Sequence, residues 1–168
     1  MTVSNVAELE ALIARVKVAQ AEYATFSQEK VDEIFRVAAL KVSTHRIELA
    51  KMAVEETGMG RVDHKIAKYV NTAKHSPGAD YLQPNAWSGR NGLAVDEFAP
   101  FGVIGNITPS THPGPVMINN MIIQLIGGNT IAFNAHPSAK KVNAKVIQLA
   151  NQYMVKAGAP HNLVTCVK

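Results

Sequence analysis

The chain of 168 residues lacks the residues from which disulfide-stabilised and zinc-stabilised proteins are built. It contains one cysteine, Cys166, which excludes an internal disulfide and a zinc cluster of several thiolates. The spacing of its six histidines indicates no metal site, so no metal ligand is predicted. A single thiol fits a reducing compartment, and we expect a cytoplasmic protein.

Long apolar runs and clusters of one charge are also missing. The longest apolar stretch, residues 116–126, is interrupted by three amide side chains and is too short to cross a bilayer. Glu8 and Glu10 lie where a secretory signal would need an unbroken apolar core. The net charge of +4 is small, and the lysines and arginines are dispersed. We therefore expect neither a membrane protein nor a nucleic-acid-binding protein.

Apolar residues at helical spacing predict four helices in the first 75 residues. The first covers residues 5–22 with Asn5 as its cap, and the second begins after Ser27. The third runs from about Thr44 to Gly58, and the fourth from Asp63 to about Lys74. The first helix packs on its own domain in the favoured interpretation, and binds a groove of a partner protein in the other. None of the four carries recognisable chemistry.

The composition changes after the fourth helix. Residues 83–92 are rich in turn-forming residues, and alternation over residues 93–98 predicts a half-buried strand. This strand is a candidate for an interface or for internal pairing. The predicted organisation is a helical layer over 1–84, a turn-rich segment with one strand over 85–100, and an α/β part over 101–168.

From Phe101 onward, strands and helices alternate. Short apolar runs predict strands over 101–107, 130–133 and 163–167, separated by helices over 113–126 and from Pro137 to about 156. This order is typical of a parallel Rossmann-like sheet with helices on its faces. Three strands are few for such a sheet, and we expect this α/β fold to be the incomplete front part of a longer polypeptide.

Two polar loops follow the first two strands of that sheet. They cover residues 108–113 and 134–138, and each leads into a helix N-terminus, where N–H groups and the helix dipole favour an anion. Ligands of open α/β sheets bind at this edge, so the loops predict a polar ligand site. Neither loop has the Gly-x-Gly-x-x-Gly fingerprint. In the alternative interpretation they are ordinary capped junctions, with Ser110, Thr111 and Ser138 bonding the backbone donors.

Several segments resemble the CoA-acylating aldehyde dehydrogenases. The later ones are similar to propionaldehyde and acetaldehyde dehydrogenases of bacterial microcompartments: AWSG at 86–89, EFAPFGVIG at 97–105, ITPSTHP at 107–113 and GGNTIAFNAHPSAKK at 127–141. The earlier ones, VSNVAEL at 3–9 and KMAVEETGMG at 51–60, are more similar to the aldehyde domain of bifunctional aldehyde–alcohol dehydrogenases. The resemblance covers nearly the whole chain and implies the N-terminal part of the aldehyde dehydrogenase fold.

The resemblance also implies a reaction. A cysteine thiolate attacks a short-chain aldehyde to form a thiohemiacetal, NAD accepts a hydride, and coenzyme A takes up the resulting thioester as acyl-CoA. By position in the family, Thr108, Pro109 and Ser110 line the nicotinamide side of the dinucleotide site. Residues near the adenosine end are Asn134, His136 and Pro137.

Thr111 and His112 belong, by the same resemblance, to a loop near the reacting carbonyl. Acylating relatives usually have Asn where this chain has His112. A neutral imidazole that donates a hydrogen bond and a side chain that only packs the loop are both compatible with this position. Cys166 lies in an apolar strand and is interpreted as a small buried hydrophobe. The family's catalytic cysteine comes beyond Lys168, so no catalytic residue is assigned.

The leading hypothesis is thus an NAD-dependent acylating aldehyde dehydrogenase, of which this segment alone is inactive. One alternative is a non-catalytic nucleotide-binding or assembly module that kept the fold. Another is an acyl-phosphate reductase of the same superfamily. Such enzymes resemble this chain less than the acylating dehydrogenases do over residues 134–141. The family implies a homo-oligomer, with a small aldehyde and coenzyme A as partners, in the cytoplasm or within a bacterial microcompartment.

Overall fold

Four helices form the N-terminal part of the structure, a computed structural model that describes residues 3–167. They are α1 (Val6–Tyr23), α2 (Gln28–Thr44), α3 (Arg46–Thr57) and α4 (Val62–His75). The bounds confirm the four predicted helices. Asn5 caps α1 as expected, because its side-chain oxygen accepts a hydrogen bond from the N–H of Glu8 at 2.9 Å. Gly58 ends α3 in the left-handed conformation.

The next segment differs from the prediction. A single 3-10 turn (Ala79–Leu82) precedes an antiparallel hairpin of β1 (Asn85–Gly89) and β2 (Gly92–Asp96). The prediction of turns over 83–92 was wrong for β1, whose Asn, Ser and Gly residues have low strand propensity. The strand predicted over 93–98 is present as β2, but the prediction that it is half-buried was wrong. Every residue of both strands is exposed, because neither face of the hairpin packs on the core of the described residues.

A three-stranded parallel sheet follows, as predicted. Its strands are β3 (Val103–Ile107), β4 (Thr130–Asn134) and β5 (Val164–Val167), in the order β3-β4-β5. Helix α5 (Pro115–Leu125) joins β3 to β4, and α6 (Lys140–Lys156) joins β4 to β5. Helix α6 begins later than predicted, because Pro137 starts a separate 3-10 turn. With this strand order, right-handed crossovers place α5 and α6 on one face of the sheet.

The core lies on both sides of β4. Ile131 and Phe133 are fully buried in the cluster that includes α2, α5 and α6. Helix α1 packs directly on β3 and β4, whereas α2 packs on α5 and α6, so the sheet lies between α1 and these helices. The Tyr23 hydroxyl at the end of α1 donates at 3.1 Å to the Leu125 carbonyl, which also accepts from the Gly128 N–H at 2.9 Å, so α1 is bonded to the end of α5.

The outer edge of β3 is exposed, in contrast to β4. Ile107 is 87% exposed at the end of β3, and Phe101 just before the strand is 94% exposed. Within residues 3–167, β3 has β4 as its only strand neighbour. No helix in this part of the chain combines the length and the apolar character needed to cross a membrane.

Candidate functional site

The two predicted ligand loops meet at the carboxyl ends of β3 and β4. Thr108, which follows β3, is 2% exposed. Its N–H donates to the carbonyl of Asn134 at 3.1 Å, and its hydroxyl donates to the same oxygen at 3.3 Å. The first residue of one loop is therefore bonded to the residue at which the other loop begins.

A cavity of about 320 Å³ opens where the loops meet. It is lined by four residues predicted from the sequence and four others: Thr108, Asn134, His136 and Pro137, with Ile107, Ala135, Lys140 and Val167. Pro109 and Ser110, predicted for the same crevice, are not among the lining residues. The volume lies near the lower end of the range for small-molecule sites, about 300–1,000 Å³. The mixture of apolar and polar side chains, with Lys140 as the one cation among them, suits a flat, polar ligand such as a nucleoside.

The N-terminus of α6 is capped by a residue from the helical layer. The Glu56 carboxylate accepts hydrogen bonds from the N–H groups of Lys141 at 2.7 Å and Val142 at 2.8 Å. The N–H groups are therefore neither free nor capped by Ser138, and both of these predictions from the sequence were wrong. The negative charge of Glu56 replaces the anion that such a helix end would attract.

His136 and Ser138 form a local turn beside the cavity. The His136 Nδ1 accepts a hydrogen bond from the Ser138 N–H at 3.2 Å and lies 2.9 Å from the Ser138 hydroxyl. A ring whose Nδ1 accepts carries its proton on Nε2 when neutral. The exposed imidazole of His136 is thus held as an Nε2–H donor.

The loop at 108–114 ends at a glycine with a close neighbour. Gly114 has φ +87°, and a Cβ atom at this position would overlap the hydroxyl of Tyr69, a buried residue of α4. Only glycine fits this approach. The Gly114 N–H donates at 3.2 Å to the side chain of Asn143, so α5 begins with a cap supplied by α6. Ser110 and Thr111, the expected caps, do not have this role.

The middle of the same loop lies against α4. Lys65 is 3% exposed, and its ammonium is 3.4 Å from the Thr111 carbonyl. Burial, and secondarily the nearby Lys68 cation, lower the pKa of Lys65. His112 lines a second cavity, of about 440 Å³, together with α4 residues that include Lys68. Burial lowers the pKa of His112 as well, with smaller contributions from Lys68 and Lys65, which favours its neutral form.

Cys166 is buried in β5 at 7% exposure, as the sequence predicts. Its thiol donates to the Val167 carbonyl at 3.3 Å. A wider cavity of about 590 Å³ runs along β5 and α6 and includes Cys166, but none of the loop residues predicted from the sequence lines it. Within residues 3–167, no three His, Cys, Asp or Glu side chains are arranged to hold a metal ion.

Sequence reasoning missed Asn143 and Glu56. Asn143 had a signal: it precedes Val146, Ile147 and Ala150 by three, four and seven positions on the buried stripe of α6. A polar residue at such a position requires buried partners. Glu56 had no local signal, because its partners lie 85 and 86 residues away in the chain.

A sequence model of the aldehyde dehydrogenase family matches residues 1–168. The acetylating acetaldehyde dehydrogenase EutE of Escherichia coli is 42% identical over 163 residues, which cover 96% of this chain and 34% of that protein. The bifunctional aldehyde-alcohol dehydrogenase AdhE of the same organism is 43% identical over 171 residues, which cover 98% of this chain and 19% of that protein. The chain thus spans about a third or less of the length of these relatives.

Solved structures share the fold. A propionaldehyde dehydrogenase from the Clostridium phytofermentans fucose utilisation bacterial microcompartment matches with a TM-score of 0.89 at 43% identity, over 93% of this chain and 36% of that chain. Rhodopseudomonas palustris propionaldehyde dehydrogenase, solved with bound CoA and an acylated cysteine, matches with a TM-score of 0.91 at 36% identity, over 94% and 36%. These matches confirm the predicted fold, a helical layer followed by the first strands of the parallel sheet.

Proposed function

The chain belongs to the aldehyde dehydrogenase family, and we propose that it builds part of the dinucleotide site of an NAD-dependent, CoA-acylating member. The intact protein, in this proposal, oxidises a short-chain aldehyde to acyl-CoA through a cysteine thioester. The observation that carries it is the cavity shared by Thr108, Asn134, His136 and Pro137 at the carboxyl ends of β3 and β4. The acetylating acetaldehyde dehydrogenase and the propionaldehyde dehydrogenases named above support the choice of reaction.

The cavity suits the adenosine part of NAD better than its phosphates. Glu56 already occupies the N–H groups of α6, so this helix end does not attract a pyrophosphate. Asn134 offers an amide to ribose hydroxyls, and His136 offers its Nε2–H. Thr108, with Pro109 and Ser110, would then lie toward the nicotinamide. When bound, NAD supplies the hydride acceptor.

A titration of the purified chain with NAD tests this proposal. We expect saturable binding by calorimetry, and His136→Ala should raise the Kd roughly fivefold, because loss of one hydrogen bond costs about 1 kcal/mol. His64→Ala is the matched control, because His64 is exposed on α4 and does not line the cavity. An absence of binding, or equal effects of the two substitutions, would contradict the site.

The catalytic cysteine, in this proposal, is not Cys166. A thiol buried in an apolar strand is a poor nucleophile. We therefore expect the 168-residue chain to form no NADH from NAD, CoA and acetaldehyde or propanal. NADH formation that disappears in Cys166→Ser would refute this assignment.

Association with further copies belongs to the same proposal. The hairpin exposes Trp87, Leu93 and Val95, and isolated two-stranded hairpins are only marginally stable in water. A second copy of the protein would cover these side chains. The likeness to a microcompartment enzyme supports a location in the cytoplasm or inside such a compartment.

A further inference from the structure

One buried amide is bonded to both ends of the loop that follows β3. Asn143, on α6, is fully buried. Its Nδ2 donates to the hydroxyl of Thr108 at 3.3 Å, and its Oδ1 accepts from the N–H of Gly114 at 3.2 Å. Thr108 is the first residue of the loop and Gly114 is the cap of α5. A single side chain therefore links the two ends of the loop.

Helix α4 touches the middle and the end of the same loop. The buried Lys65 ammonium donates to the Thr111 carbonyl at 3.4 Å. The Tyr69 hydroxyl packs against Gly114 and has no hydrogen-bond partner among the described residues. These two residues limit how far the loop moves toward α4. Asn143, by contrast, is bonded at both ends of the loop.

The bonds of Asn143 are separate from those that hold the sheet. The Thr108 N–H and hydroxyl donate to the Asn134 carbonyl, so the junction of β3 and β4 keeps its bonds without Asn143. Loss of the amide instead leaves the buried Gly114 N–H without an acceptor. A buried donor in this state is costly, and the loop relieves the cost by moving toward water.

We propose that Asn143 is a positioning residue for the dinucleotide site. By linking Gly114 to Thr108, which the Asn134 carbonyl already holds, it sets the course of the loop between them and the location of Thr111 and His112. A loop that is already in its binding conformation loses less entropy when a ligand binds. The ligand in this inference rests on the proposed function, whereas the effect on the loop does not.

Asn143→Leu tests the inference because it removes both bonds and keeps the branching and the number of side-chain heavy atoms. Asn151→Leu is the matched control: it is the same change on the same helix, but the Asn151 amide donates to Val164 of β5 at 2.8 Å, away from the loop. Two quantities are measured for each variant. They are the amide hydrogen exchange of Val116, whose N–H donates to the loop carbonyl of His112 at 3.4 Å, and the Kd for NAD.

In Asn143→Leu we expect exchange of the Val116 amide to accelerate at least about tenfold, because its acceptor lies in the loop, and the Kd for NAD to rise by a similar factor. Asn151→Leu should lower the melting temperature but leave both quantities within about twofold. Thr108→Val removes one of the two Asn143 bonds and keeps the bond to Gly114, so it should accelerate exchange by a smaller factor, and Thr108→Ser should restore the wild-type rate. This pair also tests the link if the leucine variant does not fold.

Equal changes in the Asn143 and Asn151 variants would overturn the inference, since they would mark a general loss of stability. Unchanged NAD affinity in Asn143→Leu, with a wild type that binds NAD, would overturn the positioning role alone. A wild type that binds no NAD would overturn the proposed function, and with it the nucleotide role of Asn143.

Discussion

The loop at 108–114 and the hairpin of β1 and β2 are opposite cases of local order. The loop has irregular backbone, yet side chains from α4 and α6 hold it at Thr111, Thr108 and Gly114. The hairpin has a regular ladder, yet all ten of its strand residues are exposed. Regular hydrogen bonding therefore does not indicate which segment is fixed by the rest of the molecule. Contacts with buried side chains indicate which segment is fixed.

Apolar side chains also contribute differently to stability in the two regions. Around the loop, Tyr69, Met117 and Ile118 are fully buried and support one conformation. On the hairpin, Leu93 is 71% exposed and Trp87 is 53% exposed, so neither stabilises the described chain by burial. Substitutions in the two regions should consequently have very different costs.

Gly114→Ala should have the largest effect. The new methyl group would overlap the Tyr69 hydroxyl, and alanine is strained at a φ of +87°. Overpacking and backbone strain together should lower the free energy of unfolding by about 3 kcal/mol or more. Chemical denaturation measures this change. The control is Gly89→Ala in the hairpin, where the methyl meets no atom within 4 Å and should cost less than about 0.5 kcal/mol. Similar costs at the two glycines would refute the contrast.

Glu56→Gln should have an intermediate effect. A glutamine offers one oxygen where the carboxylate offers two, so the N–H of Lys141 or Val142 loses its acceptor and the helix loses a favourable charge. We expect a loss of about 2 kcal/mol in the free energy of unfolding. Glu55→Gln removes the same charge from an exposed neighbour and should change stability by less than about 0.5 kcal/mol. Equal losses would show that the cap contributes no specific stability.

Leu93→Ser should have the smallest effect on the isolated chain. The side chain is largely in water already, so the midpoint of denaturation at low protein concentration should be nearly unchanged, within about 0.5 kcal/mol. Sedimentation at higher concentration should show weaker self-association, if copies of the protein cover the hairpin. A large loss of stability at low concentration would mean that the hairpin packs on the core after all.

The fold could be predicted wherever burial imposes a pattern on the sequence. Val142, Val146 and Ala150 recur at helical spacing because one side of α6 faces the core, and all three are buried. The hairpin could not be predicted in this way. The alternating residues of its second strand do not form a buried face. The first strand contains Ser88 and Gly89, which are not typical strand residues, so its sequence does not indicate a strand.

Residues that line the candidate site could be predicted from the sequence, but the residues that hold them in place could not. Strand ends of a parallel sheet meet at one edge, so Thr108 and Asn134 could be placed together from the order of elements alone. The residues that hold them come from helices distant in the chain. Asn143 is 29 positions from Gly114, and Glu56 is 85 positions from Lys141. Such pairings depend on tertiary packing, which no local pattern encodes.

The distance along the chain between Glu56 and α6 has a consequence for folding order. Joining residues so far apart carries a loop-closure cost, so the first turn of α6 gains its cap only after the helical layer docks on the sheet. The amides of Lys141 and Val142 should become protected at that step, later than the middle of the helix. Their exchange with solvent therefore reports undocking of two layers, whereas at an ordinary helix end it would report fraying.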